Sequence, residues 1–138
     1  MKYISVDEVK YVAHTLAKEL MSAHEPIPEF STRFPNVLEQ CLATSQQTFG
    51  GKDLYPTLVD KASMLFYVLI KNHPFQNGNK RVAVMTLLYF LRINGKWIRT
   101  DTISLYRFAK WVAESDSKLK DAVVNAIRDY IKGFLVVE

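Results

Sequence analysis

The segment Val82-Ala83-Val84-Met85-Thr86-Leu87-Leu88-Tyr89-Phe90-Leu91 most limits the folds open to this chain. With Val82, Ala83, Met85, Thr86, Leu87, Leu88, Phe90 and Leu91, a helix here is apolar almost all round and has to be enclosed on every side. The apolar run from Val82 to Ile93 is about a dozen residues, well under the roughly twenty needed to cross a bilayer, so protein must enclose it. The pattern predicts a central helix, from about Asn79 to Asn94, with other helices packed round it.

The neighbouring segments supply those helices. Ser5 with Glu8 reads as a capping box, and Val9, Val12, Ala13, Leu16 and Leu20 follow helical spacing to about Ser22. Pro26-Ile27-Pro28 and Pro35 break that pattern, so about Ala23 to Phe34 is predicted to be a surface connector, followed by a short helix from Asn36 to Ala43. Thr57 with Asp60 opens a helix reaching about Asn72, with Leu58, Ala62, Leu65, Phe66 and Leu69 on its apolar face. Gly95 should end the central helix in a left-handed cap, with Lys96-Trp97-Ile98 extended beyond it. Leu105, Phe108, Ala109 and Val112 mark another helix. Leu119, Val123, Ala126, Ile127, Tyr130, Ile131 and Phe134 carry the last to near the C-terminus. Roughly six or seven helices and one small hairpin at Gly50-Gly51 make an all-α class, with no repeat, low-complexity tract or linker.

Composition fits one ordinary globular domain over residues 1–138. Of 138 residues, 49% are hydrophobic and 23% charged, enough to bury a core without disulfide staples. The formal net charge of +4 comes from Lys and Arg scattered along the chain, not gathered as on a nucleic-acid face; it suits a nucleotide or an acidic partner surface. Cys41 is the single cysteine and reads as a packed thiol. Its solitude, and an N-terminus lacking the apolar core of a signal peptide, point to a cytoplasmic protein. His14 and His24 have no second ligand at metal spacing and are expected at the surface or its boundary.

Chemistry concentrates in His73-Pro74-Phe75-Gln76-Asn77-Gly78-Asn79-Lys80-Arg81, between the two most apolar helices. Pro74 disfavours helix in the residue before it, so the first helix should end near Asn72 and leave His73 extended at the loop mouth with a free imidazole. Gly78 permits a tight turn, and Asn79 is placed to cap the next helix. The first N–H groups of that helix, its dipole, Lys80 and the planar fork of Arg81 together suit a di- or triphosphate. Phe75, among polar neighbours, is expected to anchor the loop in the core. Upstream, Thr48-Phe49-Gly50-Gly51-Lys52-Asp53-Leu54 reads as a Gly-Gly turn between short arms bearing aromatics, with an edge that could pair with an extended peptide.

These residues carry a resemblance. His73 to Arg81 closely resembles the signature H-P-F-x-[D/E]-G-N-[G/K]-R of the Fic/Doc family, and Gln46 to Pro56 is similar to the flap and adjoining linker of its Doc (death-on-curing) branch. The likeness covers roughly residues 35 to 98 well and the ends loosely. It implies a Fic/Doc-like helical bundle around a buried central helix, with a small β-hairpin flap that docks the target through residues 48 to 54. It further implies ATP as substrate with Mg²⁺, His73 as general base, and Gly78, Asn79, Lys80 and Arg81 as phosphate- and nucleotide-binding residues.

Lys80 stands where most Fic proteins have glycine, and Val84 where adenylyltransferases of the family carry a second arginine; both features resemble Doc. The resemblance thus implies transfer of the terminal phosphate of ATP to a Ser or Thr hydroxyl of a target protein, such as a translation elongation factor. The alternative is AMP transfer. Asn77 stands where the family usually has Asp or Glu to hold Mg²⁺, and a neutral amide oxygen should hold it more weakly. That leaves open a module that binds nucleotide or partner without transfer. The chain shows no S/T-x-x-x-E-[G/N] inhibitory motif, so the resemblance implies restraint by a separate small antitoxin.

Overall fold

The computed structural model describes residues 1–21 and 26–137. The chain opens with α1 (Val6–Glu8), which runs on through a π-helical turn (Val9–His14) into α2 (Thr15–Leu20). After a 3₁₀ turn at Phe30–Thr32 come α3 (Pro35–Thr44), the hairpin strands β1 (Thr48–Phe49) and β2 (Lys52–Asp53), α4 (Leu58–Lys71) and α5 (Asn79–Ile93). β3 (Lys96–Ile98), α6 (Thr102–Glu114), a 3₁₀ turn (Ser117–Leu119), α7 (Lys120–Phe134) and β4 (Leu135–Val137) complete it.

α5 is the enclosed helix. Val82 to Leu88, Phe90 and Leu91 are all buried, and α4, α6, the π-helical turn and β3 lie against it. The helix starts are built as their residues dictate. Ser5 and Glu8 form the capping box of α1, Thr57 and Asp60 that of α4, and the Asp101 carboxylate accepts from Ser104 N–H at 2.7 Å to begin α6. Behind α4, Phe66, Phe108, Tyr130 and Phe134 form an aromatic ladder, with Phe108 and Tyr130 stacked at 4.3 Å.

Two expectations need correction and two gain detail. Leu20 is 66% exposed, while His14, expected near the surface, is 4% exposed. The wider π-helical turn shifts the helical phase, bringing His14 in and turning Leu20 out. The described part of the connector runs over the surface as expected, pinned by Ile27 and Phe30, which are buried. His24 lies outside the described residues. Lys96 to Ile98 is extended as expected but has a partner, because the chain leaves its helix at Leu135 and pairs β4 antiparallel to β3, Trp97 opposite Val136. Gly95 adopts the left-handed conformation at φ 77°.

Candidate active site

Both flanking helices position the loop from His73 to Gly78. α4 is held at its end by Lys71, whose Nζ donates to Ser115 O at 2.6 Å beyond α6. His73 is not extended as expected: the tight loop back to Phe75 and Asn79 gives it φ 52°, the one positive φ of a non-glycine among the described residues, while its side chain is exposed. Pro74 is buried, and its carbonyl accepts from Phe34 N–H at 2.8 Å. Phe75 is buried against the rings of His14 and Phe30, at 5.7 and 5.8 Å.

Asn79 closes the loop in a way its sequence position did not suggest. Its Oδ1 accepts from Phe75 N–H and its Nδ2 donates to Phe75 O, each at 2.9 Å. It therefore does not cap α5; Gly78 does, in the left-handed conformation at φ 79° and without a side-chain bond. The two contacts to Phe75 fix the amide's orientation, so the nitrogen, a donor only, faces His73 Nδ1 at 3.3 Å. The tautomer that fits this contact presents the Nδ1 lone pair to Asn79.

The remaining members of the motif lie round this clamp. Gly78 N–H donates to Asn77 Oδ1 at 2.8 Å. A Cβ at Gly78 would come within 3.0 Å of Ile27 and 3.5 Å of an Arg81 guanidinium nitrogen, so glycine serves both the turn and a close approach. Arg81 is buried and donates to Met21 O at 3.2 Å, while Lys80 is half-buried. The N–H groups of Asn79 and Lys80 make no hydrogen bond among the described residues.

The hairpin turns at Gly50 and Gly51, both left-handed, and pairs Thr48 with Asp53 and Phe49 with Lys52. Phe49 is 82% exposed and Leu54 about half exposed. The hydrogen bonds among the described residues join this hairpin to its own stem, through Leu54 N–H to Gln47 O, and to α4, but not to the loop of 73–81.

Sequence reasoning did not foresee that Phe30 and Ile27 meet the loop at Phe75 and Gly78, nor that His14, expected at the surface or its boundary, packs against Phe75. His14 is held neutral: burial pushes its pKa below the ordinary value, and its Nε2–H donates to Pro28 O at 3.0 Å. Its place beside an apolar stripe was the available signal. Cys41 is buried, and burial pushes its thiol up to about 11.

The donor set suits an anion better than a resident metal. Among the described residues there is no cluster of three His, Cys, Asp or Glu. At the motif position in question the loop offers a neutral side-chain oxygen, Asn77 Oδ1, which already accepts from Gly78 and carries no charge to hold a cation. A Mg²⁺ ion placed here would need phosphate or water oxygens for most of its ligands. No helix among the described residues is long and apolar enough to cross a membrane.

The loop, with the imidazole at its lip and an arginine and a lysine in the first turn of the buried helix that follows, lies inside the stretch that a protein-family model matches. The model of the Fic/DOC family matches residues 3–91, more than half of the chain, and that stretch includes the hairpin, α4, the loop and most of α5. "Toxin Doc" of Mycolicibacterium smegmatis is 40% identical over 73 residues, a stretch covering 53% of this chain and 56% of that protein. On its loop, its fold and this match, the chain belongs to the Fic/DOC family.

Proposed function

We propose that the chain is a Doc-like toxin that transfers the terminal phosphate of ATP to a Ser or Thr hydroxyl of a protein, with a translation factor as target and a separate small antitoxin as restraint. The observation that carries this reading is the exposed His73 held by its backbone and by Asn79 at the N-terminal end of α5. The hydroxyl oxygen attacks the γ phosphorus, the bond to the β-phosphate oxygen breaks, ADP leaves, and the hydroxyl proton passes to the imidazole. The contact between Asn79 and His73 is long for a hydrogen bond, so the Nδ1 lone pair can exchange it for that proton. Lys80, Arg81 and the first N–H groups of α5 hold the phosphates and offset charge in the transition state, where most catalysis of phosphoryl transfer arises. The hairpin of 48–54, with Phe49 outward, supplies an edge and an apolar side chain for an extended target segment.

Val84 favours phosphate over AMP transfer: it stands where adenylyltransferases of the family carry a second arginine, and it is fully buried. Asn77 favours a second reading, a module that binds nucleotide or partner without transfer, because its one oxygen is already engaged. The test is incubation of the protein with a cell extract and ATP labelled at either the γ or the α phosphate. Label moving to one extract protein from the γ position alone supports the kinase reading, and label from the α position replaces it with AMP transfer. No label from either leaves the binding module.

A further inference from the structure

Lys61 heads the buried run Lys61 to Ile70 of α4 and is itself 1% exposed. Its Nζ donates to Ser45 O at 2.9 Å, at the C-terminal end of α3, and meets Asp53 Oδ2 at 3.5 Å, on β2. The ring of Tyr3 lies 5.5 Å from the same nitrogen. One ammonium therefore joins the N-terminal segment, the end of α3 and the returning arm of the hairpin. The ammonium keeps Ser45 O in any case, and the charge of Asp53 adds a modest preference for the hairpin position that supplies it. Side chains paired across two strands share a face, and adjacent pairs alternate. Thr48 and Asp53 therefore form the face towards α4, while Phe49 and Lys52 form the face away from it.

We infer that Lys61 is a positioning residue: with Asp53 it clamps the inner face of the hairpin to α4, and so sets how the outer face and the edge meet the target. This rests on the proposed role of the hairpin in target docking. Because Asp53 is half exposed, the link is modest and the hairpin can still be displaced.

The test is backbone ¹⁵N relaxation on the full chain, comparing wild type with Asp53→Asn and Lys61→Met. The clamp predicts that order parameters over residues 47–54 fall from about 0.85 to below about 0.6 in both variants, with α5 unchanged. Hairpin values unchanged in Asp53→Asn overturn it. So does a drop in Lys61→Met that is no larger in the hairpin than in α5. Asp53→Asn, whose side chain lies at the surface, keeps the question answerable if Lys61→Met fails to fold. With the extract protein that accepts label, Asp53→Asn should raise KM for that protein about two- to fivefold, with kcat and KM for ATP unchanged. A fall in kcat at constant KM overturns the positioning role. If wild type transfers nothing, the proposed function falls and the order parameters still decide the clamp.

Discussion

His73 holds a left-handed backbone, which costs an L residue about 1–2 kcal/mol relative to the ordinary helical region. Glycine escapes that cost but brings a looser unfolded chain, about 0.5–1 kcal/mol in the other direction. His73→Gly should therefore melt at or slightly above wild type while transfer falls by about 10²–10⁴-fold, the usual worth of a general base. A variant that folds and still transfers at the wild-type rate assigns the base elsewhere. Asn77→Asp keeps the acceptor for Gly78 N–H and adds a carboxylate, so Mg²⁺-dependent transfer should rise; equal rates in both proteins remove the amide as a weakness. At this scale the exposure of the histidine was legible, because proline forces the residue before it out of the helix, but its positive φ was not, since proline by itself favours an extended residue there. Lys61 was not: a lysine near a helix start reads as solvent-facing until the end of α3 and an aspartate of the hairpin are seen to meet it.

Within α5, Thr86 is fully buried and its hydroxyl has no hydrogen-bond partner among the described residues. Thr86→Val keeps the shape and removes the unpaired group, so it should stabilise by about 1 kcal/mol and raise Tm by about 4 °C. A lower Tm would mean that the hydroxyl has a partner. The N-terminal helix makes a different prediction through His14. Its folded pKa lies below the ordinary 6.5 because burial disfavours the cation, a shift that Lys18 adds to and that Pro28 O and Glu29 oppose. Above 6.5 the imidazole is neutral in both states and contributes no slope. As pH falls through 6.5 the unfolded chain takes a proton that the folded chain refuses, so stability drops, by at most about 1.4 kcal/mol per unit, until the folded pKa is passed. His14→Leu should flatten chemical unfolding free energies between pH 6.5 and 5. An unchanged slope would place the titration elsewhere. Helix positions were legible because caps and apolar spacing coincide at Ser5, Thr57 and Gly95. The π-helical turn and the β3–β4 ribbon were not, since Leu135 to Val137 carries no turn signal and its partner strand lies a whole helical hairpin earlier.

For the molecule as a whole, the enclosed α5 fixed the class: a helix apolar on all sides leaves room only for neighbours on all sides. The same enclosure concentrates risk. Phe66 is fully buried and stacks on Phe108, so Phe66→Ala should cost about 3–5 kcal/mol, a large share of the 5–15 kcal/mol that typically holds a domain together. Urea unfolding checks this, and a loss under about 1 kcal/mol would mean that the aromatic ladder repacks. The proposed phosphate site, by contrast, could be read from the sequence only as a set of residue types at suitable spacing. Which oxygens and N–H groups are already taken, such as Asn77 Oδ1 by Gly78 or Arg81 by Met21, depends on chain segments brought together from far apart.

The pairing of Asn79 with both backbone groups of Phe75 shuts the loop into a ring whose crown, Gln76, is exposed and makes no hydrogen bond among the described residues. The one natural thiol is buried and kept protonated at neutral pH. Gln76→Cys would thus accept a fluorescent dye selectively, giving a reporter at the rim that senses nucleotide arrival without touching either anchor of the ring.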